Sequence, residues 1–370
     1  MPRLTHIHTS LMPLAWLYAL GVRVRNHLFD IGIIESRSYP LPVINIGNIT
    51  AGGTGKTPHV EYLIRLLSPQ YNTAVLSRGY KRKTRGYLQA TPTSTPADIG
   101  DEPWQIARKY PGIITAVDAD RRHGIEQLTK PSASRDVQVI LLDDAYQHRY
   151  VKAGLNILLV NYHRMITRDH LLPAGRLREP VESKKRADII IVTKCPANIT
   201  VRQRNEIIQE LRPDDTQQLY FSTYAYGNLR NTHNGRETTL DDMSSRAILL
   251  VAGIGNPRQL VDDMKRHLTQ FTTLIYADHH NFDTRDINHI RHTLHTLGPD
   301  AQIITTEKDA ARLSTSPGID DRLREHIWTL PIEVRLVGDN SKEFNQTIKQ
   351  YVQENLRNSS MAQRADAHTA

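Results

Sequence analysis

The segment Gly47-Asn48-Ile49-Thr50-Ala51-Gly52-Gly53-Thr54-Gly55-Lys56-Thr57-Pro58 ends a glycine-rich run with one lysine and one threonine hydroxyl. Glycines let successive backbone N–H groups turn toward phosphate oxygens, and the start of a helix adds the positive end of its dipole. Thr50, Ala51, Gly52, Gly53, Thr54, Gly55, Lys56 and Thr57 are therefore expected to bind nucleotide phosphates. Lys56 would reach the β- and γ-phosphates, and the Thr57 hydroxyl would face Mg²⁺. The loop departs from G-x-x-x-x-G-K-[ST] at one position, because Thr50 stands where the first glycine is usual. Pro58 suits the first turn of a helix, where its missing N–H costs nothing.

Magnesium needs a carboxylate, and a second apolar run, Val139 to Leu142, ends in Asp143-Asp144. Neighbouring strand residues point to opposite faces, so one of the two is expected to meet the metal ion, with Asp143 favoured. The plainer alternative is a pair of carboxylates that only ends a strand. Guanine recognition would call for an N-K-x-D-like segment, and Thr193-Lys194-Cys195-Pro196 lacks the aspartate, so ATP is the expected nucleotide. Thr305-Thr306-Glu307-Lys308-Asp309 also follows a strand and fits either a site near the nucleotide or simply a capped helix start.

These side chains need a scaffold. Short apolar runs recur between helical patterns: 43–46, 73–76, 137–142, 156–160, 189–192, 247–251, 273–276 and 302–305. Alternation of this kind predicts an α/β fold with a mostly parallel sheet flanked by helices, and runs without polar alternation predict strands covered on both faces. The phosphate loop makes the first domain P-loop NTPase-like, with a second, smaller α/β domain to follow. The expected division is 1–34 as an N-terminal helix, 35–225 as the phosphate-loop domain, 226–355 as the second domain and 356–370 as a disordered tail. Stretches 91–98 and 131–136 read as loops, and no short internal repeat is present.

The chain has 370 residues, a formal charge of +8, 39% hydrophobic and 23% charged residues, which excludes disordered and collagen-like classes. A single cysteine, Cys195, excludes an intrachain disulfide and a cysteine-based zinc site, and points to a reducing compartment. Basic residues cluster at Arg23/Arg25, Lys81-Arg82-Lys83, Arg121-Arg122 and Lys184-Lys185-Arg186, mild clustering best read as solvated loops.

Residues Leu11 to Leu20 are apolar all round, and 22–34 continue as an amphipathic basic stretch with Arg23, Asn26, His27 and Asp30 on one face. The apolar decad spans about 15 Å as a helix against about 30 Å of hydrocarbon, so it is not expected to cross a bilayer. With no small-residue cleavage site it is expected to be retained. The pattern suits a helix lying in a membrane interface and a buried core helix equally well.

Taken together and in order, these motifs resemble the tetraacyldisaccharide 4′-kinase family, the lipid A 4′-kinases of Gram-negative bacteria. The likeness runs end to end. It rests on the N-terminal helix, Gly47-Asn48 with Gly52 to Pro58, Ser77-Arg78-Gly79-Tyr80, Gly100-Asp101-Glu102-Pro103, Asp143-Asp144 with Gln147-His148, Leu172 to Glu179, Asp278-His279-His280 and Thr306-Glu307-Lys308-Asp309. The resemblance implies transfer of phosphate from ATP, with Mg²⁺, to the 4′-hydroxyl of tetraacyldisaccharide 1-phosphate, giving lipid IVA for lipopolysaccharide synthesis. It implies that Asp101 and His279 together activate the hydroxyl, with Lys56 neutralising charge. It further implies that Arg78, Tyr80, Asp144, Arg178 and Lys308 line the cleft and that Glu179 is a second magnesium-side carboxylate. Because Asp101 and His279 fall in different domains, closure of the cleft is expected. Taken alone, Asp101 also fits a helix N-cap and His279 a surface residue.

A lipid substrate with four acyl chains favours the interfacial reading of residues 4–34. The implied location is the cytoplasmic face of the inner membrane, peripheral or monotopic, with no nucleic acid and no obligate protein partner. Two other classes compete. A membrane-associated ATPase switch of the partitioning or carrier type shares the G-G-x-G-K-T loop, but commonly has a lysine where this chain has Ala51. A nucleic-acid-dependent ATPase would use the basic clusters as a phosphate track.

Overall fold

The computed structural model describes residues 7–130, 136–254, 257–277, 280–338 and 340–369. The chain opens with helix α1 (Met12–Asp30), then runs β1 (Val43–Gly47), α2 (Lys56–Leu67), β2 (Thr73–Ser77), β3 (Leu88–Gln89), α3 (Pro96–Ile99), α4 (Asp101–Lys109), β4 (Ile114–Val117), α5 (Arg121–Leu128), β5 (Val139–Asp143), β6 (Leu155–Asn161), β7 (Ile189–Thr193), α6 (Val201–Leu211) and β8 (Gln218–Tyr226). There follow β9 (Leu229–Asn231), β10 (Glu237–Thr238), β11 (Ile248–Ala252), α7 (Pro257–His267), β12 (Phe271–Ile275), α8 (Thr284–Leu297), β13 (Gln302–Thr306), α9 (Glu307–Leu313), α10 (Asp321–Arg324), β14 (Ile327–Leu330), β15 (Ile332–Leu336) and α11 (Asn340–Thr369).

Two compact units result. The first comprises 1–224 with 334–370 and the second Ala225–Glu333. The expected second domain, 226–355, therefore differs at its C-terminal side. β15 joins the sheet of the first unit beside β8, and α11 lays Phe344, Ile348 and Val352 into that unit's core. The Tyr351 hydroxyl both accepts from the Val43 N–H and donates to the Val43 carbonyl, tying α11 to β1. The stretch 356–370, expected to be disordered, continues α11 as far as Thr369. Its alanine, glutamine and arginine content favours helix once a packed first half has nucleated it.

In the first unit nine strands run in the order β15-β8-β7-β6-β1-β5-β2-β4-β3. β1, β2 and β4 to β8 are joined by parallel pairings, and β3 runs antiparallel to β4. β1, β2, β5 and β7 are buried at every position, as strands with helices on both faces must be. α2 contributes Val60, Leu63, Ile64 and Leu67 to one face, each almost fully buried. Burial of each such side chain is worth roughly 1.5–3 kcal/mol.

The second unit carries a six-stranded sheet, β10-β9-β14-β13-β11-β12, parallel from β14 to β12 and antiparallel at β9 and β10. Asp283 caps α8 by accepting from the Arg285 and Asp286 N–H groups. α9 begins at Thr306, whose side chain accepts from the Asp309 N–H. The capped helix start, one of the two readings of this segment, is therefore present.

The N-terminal region is one continuous helix rather than two successive segments, and it stops just before Gly32, which adopts φ +79°. Its buried line is Ala15, Ala19 and Phe29, whereas Leu14, Trp16, Leu17, Leu20 and Val24 are exposed. Among the described residues no helix is long and apolar enough to cross a membrane.

Candidate active site

Strand register decides what meets at the carboxyl edge of the first sheet. Ile46 pairs with Asp143, so the chain leaves β1 into the phosphate loop directly beside the end of β5. Leu76 pairs with Leu142, which brings Ser77-Arg78 to the other side of Asp143. Parallel strands collect their C-terminal loops at one edge, the usual place for ligands in open α/β sheets.

Two glycines of the loop are required by geometry. A side chain on Gly47 would drive its Cβ to within 2.7 Å of Tyr146 Cβ, so only glycine lets the Asp143–Tyr146 turn approach. Gly55 precedes α2 with φ +89°, and the Tyr224 hydroxyl occupies the space a Cβ would need. The loop is braced from within and without. Asn48 Nδ2 donates to Thr54 Oγ1 at 2.7 Å, both residues being buried, and Thr193 Oγ1 donates to the Thr54 carbonyl at 2.8 Å. The Ala51 N–H donates to the Arg176 carbonyl, and the Arg178 N–H to the Ile49 carbonyl. Thr50 is buried in a bridge to Leu177, so the residue that replaces the usual first glycine serves as the loop's seam to 171–178.

Lys56 opens α2, and its ammonium lies 3.5 Å from Asp144 Oδ1. Arg178 Nη1 lies 3.7 Å from Asp144 Oδ2, so Asp144 stands between two cations that could release it when phosphate arrives. Asp144 has φ +51°, and its N–H donates to the Ile46 carbonyl, which sets it facing the loop.

Asp143 is buried, and its Oδ1 has no hydrogen-bond partner among the described residues. Burial raises its pKa, and the charges of Glu102 and Asp144 raise it further. A buried carboxylate oxygen with no donor and with negative neighbours is what a divalent cation would satisfy. Asp143 and the Thr57 hydroxyl at the start of α2 therefore fit Mg²⁺. Among the described residues no group of three or more His, Cys, Asp or Glu could hold a metal by itself.

Glu179, implied by the resemblance as a second magnesium-side carboxylate, keeps its Oε1 without a hydrogen-bond partner among the described residues. It is fully buried and ion-paired with Arg186, which lies 4.8 Å from the Tyr146 ring centroid. Of the two carboxylates whose charges raise the pKa of Asp143, Glu102 has the larger effect, and it comes from the same Gly100-Asp101-Glu102-Pro103 segment as Asp101. Asp101 is the first residue of α4, and the N-cap is Gly100 with φ +91°. The N-cap role open to Asp101 from sequence is thus taken by its neighbour. The helix dipole there favours the ionised carboxylate that a base needs. A Cβ on Gly100 would lie 3.0 Å from the Tyr80 carbonyl, so glycine brings the Arg78–Tyr80 turn, with Arg78 and Tyr80 exposed and Gly79 buried, against Asp101's segment.

Sequence reasoning passed over two further residues. Arg121, counted only as part of a basic cluster, is buried and donates to the carbonyls of Asp118 and Asp143. Burial lowers its pKa to about 10, opposed by the charges of Asp143 and Asp144. Its place just past the end of β4 was the available signal. Lys194, read only as part of a failed guanine motif, has its ammonium 3.7 Å from where a Cβ on Gly53 would stand. Lys308 belongs to the second unit, in the first turn of α9. His279 lies outside the described residues. Its neighbour His280 is paired through Nε2 with Asp286 at 2.7 Å.

α1 is fastened to this site. The Tyr18 hydroxyl donates to the Arg178 carbonyl, Arg25 to the Gln147 carbonyl and Arg149 to the Asn26 carbonyl. Arg149 also pairs with Asp30.

The chain is similar to known proteins over nearly its whole length. The profile of the tetraacyldisaccharide-1-P 4′-kinase family matches residues 7–353. A tetraacyldisaccharide 4′-kinase of Bacteroides thetaiotaomicron is 48% identical over 98% of each chain, and one of Bacteroides fragilis 49% identical over 98% of each. The crystal structure of LpxK from Aquifex aeolicus in complex with ATP superposes with a TM-score of 0.70 at 27% identity, covering 93% of this chain and 99% of that one.

Proposed function

The chain belongs to the tetraacyldisaccharide-1-P 4′-kinase family, and from that premise we propose how its residues phosphorylate a lipid. The activity is transfer of phosphate from ATP to the 4′-hydroxyl of tetraacyldisaccharide 1-phosphate, forming lipid IVA for lipid A. The observation that carries the reading is the pairing of Ile46 with Asp143, which sets a phosphate loop and a metal-type carboxylate side by side.

In this proposal the N–H groups of residues 50–57 cradle the phosphates and Lys56 leaves Asp144 to neutralise the β- and γ-oxygens. Arg178 and Arg78 add charge at the same edge. Asp143 and Thr57 would hold Mg²⁺, which supplies charge neutralisation on the phosphates. Asp101 accepts the proton of the 4′-hydroxyl as that oxygen bonds to the γ-phosphorus and the bond to the β-phosphate oxygen breaks, ADP leaving with the electron pair. His279 is proposed to assist Asp101 in holding that proton.

The exposed Leu14, Trp16, Leu17 and Leu20 of α1, with Arg23 beyond them, support binding to an anionic membrane surface, where the acylated substrate resides. The proposed location is the cytoplasmic face of the inner membrane. The test is transfer of γ-labelled phosphate from ATP to detergent-dispersed tetraacyldisaccharide 1-phosphate. The unaltered protein should label the lipid, and Lys56→Ala and Asp101→Ala should not. Labelling that survives Lys56→Ala would refute the assignment of the loop.

A further inference from the structure

Lys194 sits immediately beyond β7 with a left-handed backbone, φ +59°. That conformation is unfavourable for a residue with a side chain, and it persists only when its surroundings impose it. Both flanks are fixed. Thr193 Oγ1 donates to the Thr54 carbonyl, and the Cys195 N–H donates to the Ser222 carbonyl on β8. The turn points the ammonium at Gly53, in the middle of the phosphate loop, over the Tyr224 ring at 5.7 Å from its centroid. Tyr224 is the residue whose hydroxyl fills the space against Gly55. One aromatic ring thus backs both the lysine and the loop glycine before α2.

The charge there is uncompensated. Lys56 has Asp144, and Arg186 has Glu179, but among the described residues no carboxylate pairs with Lys194. Burial, together with the nearby Lys56 charge, lowers its pKa to about 8. A desolvated cation without an anion is costly, and the cost is recovered when an anion arrives.

We propose that Lys194 is a second phosphate-binding lysine of the nucleotide site, its ammonium contacting the triphosphate of ATP at Gly53 while Lys56 serves the start of α2. This rests on the kinase reading of the loop and adds a residue to it. In the ligand-free protein Lys194 is held ready at a cost in stability. In the nucleotide complex its charge is paired.

The test is calorimetric binding of ATP and of inorganic tripolyphosphate to the full chain, for the unaltered protein, Lys194→Met and Lys194→Arg, with thermal midpoints of the ligand-free forms. Lys194→Met should weaken both ligands about ten- to hundredfold, the loss of one charge-assisted contact, and Lys194→Arg should recover most of it. The ligand-free Lys194→Met protein should melt at the same temperature or higher, since an unpaired cation has been removed. With lipid present, KM for ATP should rise more than kcat falls. Equal affinity of Lys194→Met and the unaltered protein would overturn the assignment of Lys194 alone. So would weaker binding accompanied by a lower ligand-free midpoint, which marks a structural role. An unaltered protein that binds neither ligand would overturn the kinase reading together with it.

Discussion

Asp101 and Gly55 carry the sharpest expectations among single residues. Asp101 stands at the positive end of α4 in a segment whose neighbour Glu102 bears on Asp143. Asp101→Asn keeps the shape and removes the proton acceptor, so kcat should fall by about 10²–10⁴-fold with KM for ATP little changed, as steady-state kinetics would show. An equal loss in both constants would mean that Asp101 only shapes the loop. Gly55→Ala meets two obstacles, its φ of +89° and the Tyr224 hydroxyl. It should cost on the order of 1–3 kcal/mol of stability and abolish nucleotide binding, measurable by denaturant melts and calorimetry. The phosphate loop was legible because its glycines and Lys56 are contiguous in the chain. Glu102 and Arg121 were not, because their nearness to Asp143 is set by which strands are neighbours. The pairing of Glu179 Oε2 with Arg186 was not legible either, because nothing in the Leu172–Glu179 motif names that partner.

At the scale of elements, α1 is both latch and surface. Tyr18, Arg25 and Asn26 tie it to the loops at 178 and 147–149, while Trp16, Leu17 and Leu20 remain uncovered. Trp16→Ser with Leu17→Ser should weaken binding to anionic phospholipid vesicles by at least tenfold in a flotation assay, since each buried apolar side chain is worth roughly 1.5–3 kcal/mol. Circular dichroism should be unchanged, because neither side chain packs inward. Undiminished vesicle binding would remove α1 from the membrane contact. All eight apolar runs read as strands are strands, with ends shifted by at most two residues. β8, β14 and β15 escaped because their polar and aromatic residues break the apolar pattern. The break near 225 was marked by composition, whereas the return of the chain at 334 was not. Nothing in the sequence of α11 names β1 as the partner of Tyr351.

For the whole molecule, two desolvated neutral histidines set the acid limit, His59 buried and His148 half-buried. Burial lowers the pKa of His59 to about 4, against a raising hydrogen bond with the Gly55 carbonyl, and burial with the charge of Arg121 lowers that of His148 to about 4. The folded state thus binds these protons less readily than the unfolded chain, whose histidines titrate near 6.5. Stability should be full above about pH 6.5 and fall steadily as the pH drops from there toward 4. Thermal melts across that range should show it, and a flat profile would contradict the burial of these rings. His59 also links α2 to Ser222, beside the phosphate loop, so ATP should protect against this acid loss.

The central claim is that this carboxyl edge delivers the γ-phosphate of ATP to a sugar hydroxyl of a membrane lipid. Phosphorus NMR of the lipid recovered after incubation with ATP tests it most directly. A second phosphomonoester resonance, coupled to the proton on C4′ and absent with Lys56→Ala, is the predicted result. ATP consumed to ADP and free phosphate, with only the original 1-phosphate on the lipid, would contradict the claim and leave a phosphate-loop ATPase in its place.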